Sequence, residues 1–191
     1  NSKMTNDRKR LNFNFDVDKM KSEYEALQLN NFVYYSVIQL RAPAHLVDTS
    51  LPFPPPANDY ADGSWTNWMD TKELLDSPYL SKVINTFKEN TDVTLVRLLR
   101  LSPNSIVKEH KDPTLGLEVQ KSVIRLTIPI YTNDKVSFLL NDTIVPMNPG
   151  ECWYLNLTNP HKVINNGTTE RVNLTIDMIP NDWVKKIISE N

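Results

Sequence analysis

The strongest chemical pattern in this sequence is carried by His110 and Asp112, which flank Lys111, by His161 in a later segment, and by Arg171 beyond it. If His110 and Asp112 lie on a strand they project to the same side, because strand side chains alternate with a period of two. Two imidazoles and one carboxylate on one face of a metal, with the other positions open, form the usual ligand set of non-haem iron(II) in oxygenases. A bare H-x-D triplet is a weak signal, since a solvated strand end or turn reads the same way. The elements around it must decide.

Downstream of Asn90 the sequence consists of short runs with strand character. They cover Val93 to Leu101, Ser105 to Glu109, Ser122 to Tyr131, Val136 to Leu140, Thr143 to Met147, Cys152 to Leu157, Lys162 to Ile164 and Arg171 to Met178. Turn residues such as Pro103-Asn104, Asn133-Asp134, Asn141-Asp142, Pro149-Gly150 and Asn166-Gly167 separate them. Strands of this length and spacing predict a mainly β fold, a double-sheet jelly roll. In the last run Arg171, Asn173 and Thr175 share one face and Val172, Leu174 and Ile176 the other; Arg125 and Thr127 likewise oppose Leu126 and Ile128. The apolar faces are expected to pack between layers. The arginine faces, if they line the mouth of the roll, are built to hold carboxylates, because a guanidinium fork binds them bidentately.

Upstream, residues 1–10 are polar and basic, with Arg8-Lys9-Arg10 the densest charge run, and are expected to be a flexible terminus. Met4 reads as a natural start preceded by a short remnant. Asp16 to Leu27 has helical spacing, with Asp16 or Asp18 as N-cap. Phe32 to Leu40 reads as a strand. Ala42 to Trp68 is loop-like because Pro52, Pro54, Pro55 and Pro56 forbid regular structure, and its Tyr60, Trp65 and Trp68 point to a flap over a pocket or an aromatic cover on the core. Tyr79 to Phe87 reads as a helix with Pro78 in its first turn, and Trp183 to Ile188 as a short amphipathic one. The whole, 1–191, is expected to be one domain: an N-terminal layer of helices and loops over 11–90, the jelly-roll core over 91–180, and a C-terminal helix over 181–191.

Composition excludes several classes of partner. With 21 Lys and Arg against 23 Asp and Glu, the near-neutral chain is a poor match for nucleic acid or an anionic membrane. No apolar run is long enough to span a bilayer. The single cysteine, Cys152, rules out an internal disulfide and fits a reducing cytoplasm. The sequons at Asn141, Asn156, Asn166 and Asn173 read as coincidence in an Asn-rich chain, since Asn173 falls in a strand.

The segment from Arg97 to Asp177 resembles the aspartyl/asparaginyl β-hydroxylase family of iron(II)- and 2-oxoglutarate-dependent oxygenases, which includes hydroxylases of free proline. The resemblance rests on Arg97-x-x-Arg100-Leu-x-Pro103, His110-x-Asp112, Arg125, Gly150-Glu151-x-Trp153-Tyr154-Leu155-Asn156, Pro160-His161, and a tail. That tail is His161-x-Val163-x-Asn165-x-Gly167-x-x-x-Arg171-x-x-Leu174-x-x-Asp177. It implies a double-stranded β-helix, cupin-like, with His110, Asp112 and His161 as iron ligands and Arg171 as the clamp on the distal carboxylate of 2-oxoglutarate. Arg125 and Arg97 are assigned to the substrate carboxylate or the metal-proximal end of 2-oxoglutarate, and Trp153 to the substrate side. Many relatives have Arg-x-His where this chain has Arg125-Leu126-Thr127, a departure that bears on how the metal-proximal carboxylate is held and on which substrate fits.

The resemblance further implies that 2-oxoglutarate takes two metal positions and O2 the third, giving succinate, carbon dioxide and a hydroxylated C–H. Retention of Asp112 favours hydroxylation over halogenation. A free amino acid or a close analogue is the expected substrate. An aspartyl or asparaginyl side chain in a peptide is the alternative, and a metal-binding cupin-like protein without catalysis is another.

Overall fold

The computed structural model describes residues 7–29, 36–58 and 60–190. Three strands precede the predicted set: β1 (Arg8–Asn14), β2 (Val37–Pro43) and β3 (Trp68–Asp70). The eight predicted strands follow as β4 (Val93–Leu101), β5 (Ser105–His110), β6 (Ile124–Tyr131), β7 (Val136–Leu140), β8 (Thr143–Ile144), β9 (Glu151–Leu155), β10 (His161–Asn165) and β11 (Arg171–Met178). They form a seven-stranded sheet in the order β1-β9-β6-β11-β4-β2-β3 and a four-stranded sheet in the order β5-β10-β7-β8, with antiparallel pairing throughout. This is the expected mainly β jelly roll, a double-stranded β-helix with flanking helices.

Alternation along the large sheet divides its two faces. Leu126, Ile128, Val172, Leu174 and Ile176 point outward and are fully buried beneath helices. Those helices are α1 (Val17–Leu29), α4 (Pro78–Lys88) and α5 (Asp182–Ser189), which contribute Met20, Tyr24, Leu80, Ile84, Phe87 and Val184 to one cluster. Short turns α2 (Ala44–Val47) and α3 (Lys72–Leu75) complete the helical set. Each fully buried aliphatic side chain in this layer contributes about 1.5–3 kcal/mol. The helix starts follow from their caps: Asp16 Oδ1 accepts from Lys19 N at 3.1 Å, Asn181 Oδ1 accepts from Val184 N at 3.0 Å, and Pro78 occupies the first turn of α4. The inward face closes on a smaller cluster between the sheets that includes Phe138, Leu140, Trp153, Leu155 and Val163.

Three expectations need correction. Arg8-Lys9-Arg10 is not a flexible tail but part of β1, paired with β9 through Arg8↔Leu155 and Arg10↔Trp153. The reason is local: Leu11 in the same strand is buried, and the Arg8 guanidinium donates to the carbonyls of Leu140 and Ile144 at 2.9 and 3.0 Å. The strand predicted from Phe32 begins in part outside the described residues, and the described strand β2 runs on to Pro43, into what composition marks as loop. The N-terminal layer is therefore not only helix and loop, since β1, β2 and β3 extend the large sheet. The long proline-rich connection leaves β2 and returns as β3 beside it, Ala42↔Met69 and Pro43↔Trp68, so its ends are paired.

Asn165, at the end of β10, ties the two sheets together. Its amide donates to the carbonyls of Leu101, Ser102 and Thr169 at 3.2, 3.2 and 3.0 Å, and its oxygen accepts from Gly167 N at 3.0 Å. The residue is fully buried, so its loss would leave buried polar groups short of partners, although Thr169 O also accepts from Asn133 Nδ2 at 3.0 Å. Asn165→Ala is expected to cost about 2 kcal/mol or more of stability, read as a lower urea midpoint at unchanged slope. An unchanged midpoint would contradict the tie.

Candidate active site

β5 and β10 are neighbours in the small sheet, and their register sets His110 directly opposite His161. The two rings lie 4.3 Å apart between centroids. The H-x-D triplet does not continue as a strand: β5 ends at His110, and the chain turns so that Asp112 N donates to Leu157 O at 2.9 Å and Leu115 N to Asp112 O at 3.1 Å. The turn brings Asp112 Oδ2 to 3.1 Å from His161 Nε2 and 3.6 Å from His110 Nε2. One ligand atom from each of the three side chains lies within 4.8 Å of the others.

The imidazole tautomers are set by the backbone. His110 Nδ1 faces Lys108 O at 2.8 Å and His161 Nδ1 faces Asn159 O at 2.9 Å. A carbonyl can only accept, so Nδ1 carries a proton in both rings, and Nε2 is the nitrogen that each ring turns toward the Asp112 carboxylate. Two imidazole nitrogens and one carboxylate converging within 4.8 Å could hold a metal ion, and this backbone support is the arrangement that orients metal-ligating histidines. His161 is buried and stacked on Phe138, with planes 2° apart at 6.1 Å, whereas His110 is partly exposed.

Phe138 also links this cluster to Arg171, whose Cζ lies over its ring at 5.8 Å. Arg171 is buried at the start of β11 and has no carboxylate partner among the described residues. With its amide turned so that both atoms find partners, Asn173 offers its oxygen to Arg171 Nη2. Burial pushes the guanidinium pKa down to about 10. Because that lies below the exposed value, the cost of the buried charge is fully present at neutral pH and is relieved only as pH rises past about 10.

The other two predicted arginines differ. Across the large sheet Arg97, Thr175, Thr127 and Trp153 occupy successive register positions, and Asp177 lies opposite Arg125 one step along. Arg125 is already engaged, Nε to Asp177 Oδ1 at 2.7 Å and Nη2 to Oδ2 at 3.0 Å. Burial opposes its charge, but the Asp177 carboxylate outweighs this and raises its pKa. Asp177 occupies the Nε/Nη2 edge of the guanidinium, and Arg125 also lines the cavity beside Asp112. Arg97 Nε is buried without a hydrogen-bond partner, and burial, with the neighbouring Arg125 charge, lowers its pKa. Trp153 packs in the inner cluster and donates its indole N–H to Glu151 Oε1 at 3.1 Å, so its place is in the core wall.

A cavity of about 280 Å³ opens beside Asp112, and its lining includes Arg125, Asp177, Tyr60, Trp65 and Trp68. The aromatic loop thus does face a pocket. Sequence reasoning placed Asp177 in the motif without a role and missed Phe138; alternation along β7 marks Phe138 as inward, but nothing in the sequence pairs it with His161 and Arg171.

A family model described as aspartyl/asparaginyl beta-hydroxylase matches residues 60–180. An L-proline cis-4-hydroxylase of Rhizobium meliloti (strain 1021) is 31% identical over 100 residues, which make up 52% of this chain and 35% of that protein. An L-proline cis-3-hydroxylase of a Streptomyces species is 30% identical over 103 residues, 52% of this chain and 34% of that one. The chain thus spans about a third of the length of these curated relatives. The structure of a non-haem alpha-ketoglutarate-dependent epimerase, SnoN from nogalamycin biosynthesis, covers 92% of this chain and 78% of its own with a TM-score of 0.54 at 9% identity, a likeness of fold.

The lone buried charge gives a test that needs no ligand. A buried unpaired guanidinium costs several kcal/mol, more than the roughly 0.5–2 kcal/mol returned by its contact with Phe138. Arg171→Met is expected to leave the melting temperature unchanged or raise it. A loss of more than about 3 kcal/mol would show that the charge is already compensated in the folded chain.

Proposed function

The chain belongs to the aspartyl/asparaginyl β-hydroxylase family, and on that premise we propose that it is an iron(II)- and 2-oxoglutarate-dependent dioxygenase. Its reaction is hydroxylation of an unactivated C–H in a small amino acid or amino-acid-like substrate, with succinate and carbon dioxide as co-products. The observation that carries this reading is the convergence of His110, Asp112 and His161 on one point, joined through Phe138 to the buried Arg171, which has no carboxylate partner among the described residues.

The donor set fits the metal: two neutral imidazoles and one carboxylate suit iron(II) and leave open positions. Bound there, iron(II) and 2-oxoglutarate supply the oxidising chemistry, in which O2 is consumed and one of its atoms enters the substrate C–H bond. His110, Asp112 and His161 hold the metal, and the carbonyls of Lys108 and Asn159 fix the rings that do so. Arg171 takes the far carboxylate of 2-oxoglutarate, which supplies the counter-charge that its burial lacks. Arg97, with its unpartnered Nε, takes the substrate carboxylate. Asp177 aims Arg125 into the same space, and the inner cluster around Phe138, Leu140 and Val163 keeps water away from the reacting groups.

Two observations favour a small substrate over a peptide side chain: the relatives named above are L-proline hydroxylases, and the cavity, at about 280 Å³, lies at the lower end of small-molecule pockets. The same reading takes 1–191 as one oxygenase domain acting in the cytoplasm, without nucleic acid or membrane as partner. Near-neutral charge and the buried free Cys152 support it, and among the described residues no helix is long and apolar enough to cross a membrane.

Anaerobic addition of iron(II) and 2-oxoglutarate should produce a visible metal-to-ligand charge-transfer band, and its absence would count against the oxygenase reading. Arg171→Ala should raise the 2-oxoglutarate concentration needed for that band by about 100-fold, the loss of a charge-assisted bidentate contact, while iron affinity changes much less. An unchanged cosubstrate requirement refutes the clamp. Arg97→Ala should lower hydroxylated product per succinate; a normal ratio in a screen of free amino acids would remove Arg97 from the substrate side.

A further inference from the structure

Phe138 lies on β7 in the small sheet, where it pairs with Val163 of β10, and Leu140, two residues on, pairs with His161. Its ring and the His161 imidazole are therefore diagonal neighbours on the inner face. Their planes lie 2° apart with centroids at 6.1 Å, an offset stack. Arg171 comes from the other side of the roll, from β11 in the large sheet, and sets its Cζ 5.8 Å from the centre of the same ring. One phenyl ring thus meets both the buried metal-ligand candidate and the expected clamp.

The ring has little freedom. Leu140, Val145 and Val163, all buried, belong to its cluster, and Phe138 O accepts from Val145 N at 2.8 Å. Arg171 would have more. Its guanidinium ends a long, rotamer-rich stem, no carboxylate among the described residues fixes it, and the Asn173 oxygen engages only Nη2. A phenyl face attracts a cation through its quadrupole and occupies none of the in-plane N–H directions. An aspartate, glutamate or glutamine in the same place would fix the arm by consuming donors. Phe138 holds the guanidinium and leaves its other donors for a carboxylate that arrives with a ligand.

These contacts set a span. On the reading above, the 2-oxo acid end of the cosubstrate lies at the metal that His161 helps to hold, and its far carboxylate lies at Arg171. Both ends are referred to one rigid ring. A diacid one methylene shorter or longer fits only if the guanidinium leaves that ring or the far carboxylate misses it. In a closed apolar site a single methylene changes affinity by about 10–200-fold.

We propose that Phe138 is the positioning residue that selects the chain length of the 2-oxo diacid, by holding the Arg171 guanidinium at a fixed span from His161. The proposal rests on the oxygenase reading, and the test keeps the two separable.

The protein, anaerobic and at saturating iron(II), is titrated with oxaloacetate, 2-oxoglutarate and 2-oxoadipate. These share the metal-binding end and differ by one methylene at each step. The charge-transfer band reports the binding of each, and saturating metal makes the ratios independent of iron affinity. The unaltered chain is expected to prefer 2-oxoglutarate to either neighbour by about 30-fold or more. In Phe138→Leu, or in Phe138→Met if the first variant does not fold, an apolar side chain still fills the core but the ring face is gone. The preference should then shrink to within about fivefold. A ring that only fills the core would, when replaced, weaken all three diacids in parallel and leave their ratios intact. Intact ratios in the variant overturn the proposal, as does equal binding of the three diacids by the unaltered chain. Absence of the band with every diacid would instead remove the oxygenase reading, and this proposal with it.

Discussion

The antiparallel pairing of β5 with β10 is the constraint on which the candidate site depends. It sets His110 opposite His161, and every further feature is arranged around that pair. A one-residue slip would turn one imidazole to the outer face and separate the two. The register is secured at the far end of β10 by Asn165 and its bonds to the β4–β5 and β10–β11 connections. At the near end Asn156 accepts from Thr158 N and Oγ1, shaping the turn that leads into Pro160 and His161. Much of the family motif is therefore scaffold.

The buried arginines show how the same side chain is put to different uses on one sheet. Arg125 is satisfied by Asp177, and Arg100 by Glu170. Such pairs carry their own counter-ion and need nothing from outside. Arg171 has no carboxylate partner among the described residues, and Arg97 leaves Nε orphaned. Desolvation at these two positions weighs against folding, and a carboxylate-bearing ligand would offset it. Unpaired buried charge is a stronger indication of binding than the presence of arginine on an inner face.

Much of this was legible in the sequence. Period-two alternation in Ile124–Tyr131 and Arg171–Met178 separates the helix-covered face from the polar one, and all eight predicted strands are present. The metal candidates were legible because H-x-D and the distal histidine keep a fixed order. Their convergence was not: it comes from a turn after His110 that Asp112 makes with Leu157, a contact between distant segments. Arg8-Lys9-Arg10 misled because a charged run reads as solvated, whereas β1 exploits an open edge beside β9. The pairing of Arg125 with Asp177 was equally hidden, since alternation gives the face of a residue and not its partner across the sheet.

The central claim is that the fold brings two histidines and one aspartate together as an iron site. The chain has three histidines in all, and His45 lies among the loop aromatics, so counting imidazoles on the metal is a direct test. X-ray absorption at the iron edge, on protein loaded anaerobically with one equivalent of iron(II), should show two imidazole ligands with the remaining donors oxygen. Iron that stays free in solution, or a coordination shell without imidazole, would contradict the account.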